Sequence, residues 1–138
     1  MTGRVFIDSN VWVYLFSHED DNKCELAEQF ITDYGNKNII VISYQVINEV
    51  TRSLKKKGVS EPNIRSIIES LAKICVIQDF SKDIVLLASH IRENHSFSFW
   101  DSQIVASALT AQCTLLASED MQDGFIIEGL LIKNIFKR

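Results

Sequence analysis

Chain-breaking residues are scarce. One proline and five glycines in 138 residues leave little for a loop-rich fold and favour long regular elements. Cysteine is scarce as well. Cys24, Cys75 and Cys113 are odd in number and far apart, which suits neither a disulfide framework nor a metal knuckle and fits a reducing compartment. No apolar run approaches the roughly 18 residues of a membrane-spanning helix, so no membrane association is expected. The opening Met1-Thr2-Gly3-Arg4 runs straight into a short apolar strand, without the hydrophobic region and cleavage site of a secretory signal. With 46% apolar and 23% charged residues, disorder and collagen-like order are excluded. The expectation is a single cytoplasmic domain over residues 1–138.

Positive charge is also short. Against 18 Asp and Glu stand 14 Lys and Arg, a net charge of −4, whereas a domain whose whole surface follows a phosphate backbone is usually basic. That deficit changes meaning if a few carboxylates are gathered in one site.

What is present is an alternation of short apolar runs and longer helical patterns. Arg4-Val5-Phe6-Ile7 reads as a strand, ended by the turn and cap formers Asp8-Ser9-Asn10. A short apolar helix follows from Val11 to Phe16, then a helix capped by Asp21 or Asn22 and running to about Tyr34. Asn38–Ser43 is apolar throughout, as buried parallel strands tend to be, and feeds a helix from Tyr44 to about Lys57. Pro62 suits the first turn of the next helix. Further strands are expected at Cys75–Ile77 and Thr114–Ala117, with a short fifth at Phe125–Ile127, and further helices at Ser81–Glu93 and Phe99–Gln112. Strand and helix alternate without hairpin signals. The pattern predicts an α/β fold, a three-layer sandwich with a mainly parallel central sheet and helices on both faces.

In such a sheet the functional crevice lies beyond the carboxyl ends of the strands. Asp8 follows the first strand, Glu49 lies on the helix after the second, Asp101 opens the helix before the fourth, and Glu119 and Asp120 follow the fourth. Asp101 stands three residues before Ile104 and four before Val105, on the apolar stripe of its helix, where a carboxylate is costly unless paired or bound to a metal. Each acid alone has a plainer reading. Asp8 and Asp101 suit helix starts, Glu49 can pair with Arg52, and Asp120 can be a turn residue. Together they are the oxygen donors a hard divalent cation needs from separate elements.

The motifs that carry these acids resemble those of the PIN domain family. They are Val5-Phe6-Ile7-Asp8-Ser9-Asn10-Val11, Asn48-Glu49-Val50, Phe99-Trp100-Asp101-Ser102-Gln103 with the run to Ala108, and Leu116-Ala117-Ser118-Glu119-Asp120-Met121-Gln122. The tail from Gly124 to Phe136, with Ile127-Glu128-Gly129-Leu130, resembles the closing segment of bacterial VapC-like members. The likeness covers nearly the whole chain in order and spacing. It implies a Mg²⁺- or Mn²⁺-dependent ribonuclease with Asp8, Glu49, Asp101 and Asp120 as catalytic, metal-holding acids, supported through hydrogen bonds by Asn10 and Ser118. At the last position Glu119 and Asp123 are close enough to substitute for Asp120 or assist it. The family also implies a 5′-phosphate product, a small antitoxin protein as partner, and a homodimer.

Setting those four acids aside leaves 14 acids against 14 bases. Arg52, Lys55, Lys56 and Lys57, on the helix of Glu49, are the candidate phosphate-steering patch, or else a solvated helix end. Lys133, Lys137 and Arg138 add to that patch or face an acidic partner. His18, His90 and His95 have no metal-ligand spacing and read as surface or helix residues, while Trp12, Tyr14 and Phe16 read as core rather than as lining an interface. Three other classes fit less well. A non-cleaving PIN-fold binding module would not need all four acids. Phosphotransfer domains want an acidic pair or Asp-x-Asp at the first strand, and Asp8-Ser9-Asn10 supplies neither. A dinucleotide-binding domain lacks its glycine-rich turn.

Overall fold

A computed structural model describes residues 3–137, so Met1, Thr2 and Arg138 lie outside the described residues. Its first strand, β1 (Arg4–Ile7), carries Val5, Phe6 and Ile7 in succession, all buried. Successive strand residues point to opposite faces, so consecutive burial means that both faces of the sheet are covered. Asp8 then caps α1 (Ser9–Ser17), which ends at His18 in the left-handed region (φ 55). Helix α2 (Asp21–Gly35) is capped by Asp20, whose side chain accepts the Lys23 N–H at 3.1 Å. The cap is thus one residue earlier than the expected Asp21 or Asn22. Asp21 falls in the first turn, where its charge meets the positive end of the helix dipole.

β2 (Ile39–Ser43) passes without a loop into α3 (Tyr44–Lys56), because Ser43 both ends the strand and caps the helix by accepting the Val46 N–H. There follow α4 (Glu61–Ile74), β3 (Val76–Gln78), α5 (Lys82–Asn94), α6 (Phe99–Thr110) and β4 (Leu115–Ala117). Ser81 and Ser98 cap α5 and α6 through their hydroxyls. The last elements are β5 (Ile126–Ile127) and β6 (Leu130–Lys133).

The sheet order is β3-β2-β1-β4-β6-β5, parallel except for β5 against β6. The parallel α/β sandwich is as expected, but two features of the tail are not. Leu130–Lys133 is a sixth strand, and β5 and β6 form a hairpin where no hairpin signal had been read. Its turn is Glu128-Gly129, both at positive φ (49 and 84), the mirror-image turn that matches strand twist. The usual cue at the first turn position is Asn or Asp, and Glu there conceals the turn from the sequence. β6 pairs with β4 and closes the side of the sheet that β1 alone would leave open.

The chain runs outward from β1 through β2 to β3, then returns to lay β4 on the other side of β1. The order therefore reverses between β1 and β4, the place where an open parallel sheet leaves a crevice at its carboxyl edge. Beneath it the core is dense. Phe6, Ile7, Trp12, Ile42, Leu54, Leu71, Ile84, Leu116 and Ile132 are fully enclosed, and the Trp12 indole N–H donates to the Ile7 carbonyl at 3.2 Å. Leu116 sits at the centre of β4, paired to Phe6 on one side and Ile132 on the other. Leu116→Ala is expected to cost about 3 kcal/mol of unfolding free energy, read from the urea midpoint, and an unchanged midpoint would contradict this packing.

Candidate active site

Asp8 anchors the crevice. It ends β1, is 5% exposed, and each of its carboxylate oxygens has a fixed partner. Oδ1 accepts the Ser9 N–H at 2.8 Å, and Oδ2 accepts the Ser118 hydroxyl at 2.8 Å from the end of β4. Burial pushes its pKa from the usual 3.8 up to about 6. The two hydrogen bonds oppose that rise, and the charges of Asp101 and Asp120 add to it.

Asn10 joins the same two strand ends one step further out. Its Nδ2 donates to Asp120 Oδ2 at 3.1 Å, and its Oδ1 accepts the Glu119 N–H at 3.1 Å. Ser118 therefore holds Asp8 and Asn10 holds Asp120. Glu49 projects from α3 and takes a long hydrogen bond from Gln45 (3.4 Å). Its carboxylate is open to solvent, yet the loss of water against the cleft wall, followed by the charge of Asp8, lifts its pKa to about 7. Asp101, half-buried in the first turn of α6, is raised mainly by burial and further by Asp120, against the hydrogen bond from Ser98. The four acids thus feel one another, and among the described residues none forms an ion pair with lysine or arginine.

The other acids of the last loop are already engaged. Glu119 accepts the Tyr14 hydroxyl at 2.6 Å and is salt-bridged to Lys23. Asp123 accepts the Asn134 N–H at 2.8 Å and faces Lys137 at 3.8 Å. Asp120 is left as the uncompensated acid at this position. Lys23 and Tyr14 were not anticipated as site residues, and Tyr14 is not simply core. Its place one turn after Asn10 on α1 was a usable signal. Nothing in the sequence pointed to Lys23, which arrives from α2. Glu119 and Tyr14 hold its ammonium well above the ordinary range.

A cleft of about 440 Å³ opens over the strand ends, walled by Ser9, Asn10, Glu49 and Asp120 with Arg52, Lys56 and Lys57. Asp8 and Asp101 do not wall it themselves, and their charges act on the acids that do. Of the anticipated basic patch, Lys55 turns away to pair with Glu61 at 2.8 Å, while Lys57 also reaches Glu19 at 2.6 Å. His18 ends α1 with Nδ1 at 3.3 Å from the Cys24 sulfur, and His90 and His95 are exposed.

Among the described residues no three Asp, Glu, His or Cys side chains are drawn together tightly enough to cage a bare ion. The donor set does fit a hard divalent cation that keeps part of its water. It is all carboxylate oxygen, comes from four separate elements, and is mutually repelling, with no ion pair to lysine or arginine among the described residues.

The rise at Asp8 bears on stability. Its native pKa lies above its unfolded one, so the native state holds the proton more tightly. That stability is full below about pH 4 and is lost as pH rises through about 6. Asp8→Asn, which carries no charge, is therefore expected to be more stable than the parent at pH 7, by on the order of 2 kcal/mol in metal-free buffer. The difference should vanish near pH 4, as urea unfolding at both pH values will show.

A family model described as "PIN domain" matches residues 5–123 of the chain. No curated protein matches by sequence. Several solved structures share the fold. A toxin–antitoxin complex from Klebsiella pneumoniae is 20% identical (TM-score 0.73), covering 97% of this chain and 99% of its own. VapBC2 from Rickettsia felis, bound to a promoter DNA fragment, is 19% identical (TM-score 0.69), covering 95% and 98%. VapC20 of Mycobacterium tuberculosis, a toxin that cleaves the sarcin–ricin loop, is 16% identical (TM-score 0.65), covering 81% and 86%. With the matched segment running from β1 past Asp120 and taking in all four acids, this chain belongs to the PIN domain family.

Proposed function

We propose that the protein is a Mg²⁺- or Mn²⁺-dependent endoribonuclease and the toxin of a VapBC-type toxin–antitoxin pair. The observation that carries this reading is the convergence of Asp8, Glu49, Asp101 and Asp120 at the β1/β4 switch point, uncompensated by any protein cation among the described residues. All four would hold the cation, Glu49 and Asp120 from the cleft wall. A bound divalent cation supplies a water of lowered pKa and neutralises charge on a phosphate.

The chain's own residues account for the rest. Ser118 and the Ser9 amide fix both oxygens of Asp8, so its carboxylate cannot rotate away. Asn10 holds one oxygen of Asp120. Arg52, Lys56 and Lys57 border the same cleft, where they would draw an RNA backbone towards the acids. Lys23 and Tyr14 keep Glu119 out of the donor set, and with it a further negative charge.

The toxin reading is supported by neighbours that are toxin–antitoxin complexes and by one that cleaves RNA. It brings with it a small antitoxin, a homodimer and a cytoplasmic setting. No helix among the described residues is long and apolar enough to cross a membrane. Recovery from the native host without a co-purifying small protein would count against the antitoxin, and a monomeric mass at micromolar concentration against the dimer.

The deciding assay is cleavage of a mixed RNA pool with Mn²⁺, Mg²⁺ or EDTA, beside variants. Asp8→Asn is expected to lower kcat/KM at least about 100-fold, and Asn10→Ala by about 10- to 100-fold with partial recovery at high Mn²⁺. Cleavage that persists in EDTA or in Asp8→Asn would refute the metal site.

Acid should also switch the enzyme off. The cation competes with protons for Glu49 and Asp8, whose pKa values are raised to about 7 and about 6. Activity is expected to fall as pH drops through that range, and more Mn²⁺ should move the falling limb to lower pH. A flat profile from pH 5 to 8 would contradict this.

A further inference from the structure

A second groove adjoins the acidic cleft and shares two of its walls. It has a volume of about 590 Å³ and is lined by Tyr44, Gln45, Asn48, Phe80 and Trp100, with Glu49 and Arg52 common to both hollows. Its surface is dominated by aromatic side chains that the fold leaves in water: Trp100 is 62% exposed, Tyr44 52% and Phe80 50%. The contrast with Trp12, wholly enclosed in the core, is sharp. Trp100 touches one other ring, Phe99, edge to face at 5.0 Å, which leaves a flat face open. Gln45 ties this platform to the active site, with its Nε2 at 3.4 Å from both the Trp100 carbonyl and the Glu49 carboxylate.

We propose that this groove is a nucleobase-stacking subsite that takes an unpaired base beside the cleaved phosphate and makes the enzyme selective for single-stranded or looped RNA. The inference rests on the ribonuclease reading above. Aromatic faces suit a base because every base offers a π-surface, and each stacked base adds appreciably to affinity. Arg52 stands where the groove and the cleft meet, at the backbone between a base in one and a phosphate in the other. The amides of Gln45 and Asn48 are the groups available to a base edge. A base inside a duplex is already stacked and paired and cannot enter. Continuity with the cationic wall favours a polyanion with flat apolar bases over a purely apolar partner, and a second copy of the chain seated here would cover Glu49.

The chain has two tryptophans and Trp12 is enclosed, so fluorescence quenching reports on Trp100. In Asp8→Asn protein, a short single-stranded RNA of mixed sequence is expected to quench the emission. Its duplex with the complementary strand should not, and adding Trp100→Phe should remove the effect. In the otherwise unaltered enzyme with Mn²⁺, Trp100→Ala is expected to raise KM for single-stranded RNA about 10-fold with kcat little changed, while Trp100→Phe keeps most of the affinity. An abasic nucleotide moved along the RNA should cause the same loss at one position in the parent and no further loss in Trp100→Ala.

Unchanged kinetics in Trp100→Ala with no quenching, while Asp8-dependent cleavage persists, would overturn the subsite and leave the nuclease standing. Selective quenching without Asp8-dependent cleavage would support a single-strand-binding groove and overturn the nuclease reading instead. A dimer that Trp100→Ala splits without altering KM would assign the groove to a second copy and overturn the proposal.

Discussion

The buried carboxylate of Asp8 is the constraint on which the site depends. A charge in the interior is tolerated where it is hydrogen-bonded, and here both oxygens are. One partner is local, the amide of the helix that Asp8 caps. The other comes from the far end of the chain, at Ser118. The second bond can form only if β4 lies beside β1 in the register that pairs Ile7 with Ala117. That register follows from the return of the chain across β1, so the topology of the sheet and the chemistry of its carboxyl edge are one arrangement. The cost is a group that gives up its proton only as pH rises through about 6, and only a favourable interaction with its charged form can offset that.

How much of this could be read from the sequence depended on whether a feature was written locally. The apolar runs Val5–Ile7 and Ile40–Ile42 have no other use than as strands buried on both faces, and they fixed the fold class. Asp8, Asn10 and Ser118 were legible because each stands at a strand end, where a parallel sheet must place its functional groups. The hairpin at Glu128-Gly129 was missed. Its left-handed turn relies on Glu at a position that usually signals itself with Asn or Asp, and Leu130–Lys133 carries no alternating pattern.

Asp120 could be named as the last acid from the resemblance alone, for a different reason. Glu119, Asp120 and Asp123 lie within five residues and are chemically alike. They are separated by partners from elsewhere: Lys23 and Tyr14 for Glu119, Asn134 and Lys137 for Asp123, Asn10 for Asp120. Of these, only Asn10 belongs to a recognisable motif. The same holds for the basic run, where Arg52, Lys56 and Lys57 border the cleft while Lys55, in the midst of them, is turned by the helical repeat towards Glu61.

Net charge therefore misleads for this chain, because the balance is spatial. The acids that make the total negative are concentrated where a cation would compensate them, and the bases that remain are not spread evenly over the surface. Three of them line one wall of the cleft, and Arg52 extends that wall to the exposed rings of Tyr44, Phe80 and Trp100. A ligand spanning both hollows would suit them with negative charge at one end and a flat apolar face at the other, the two hollows sharing Glu49 and Arg52. Within a nucleotide, phosphate and base meet that requirement together. A double helix does not, since its bases are stacked inward and only its phosphates face a protein surface of this shape.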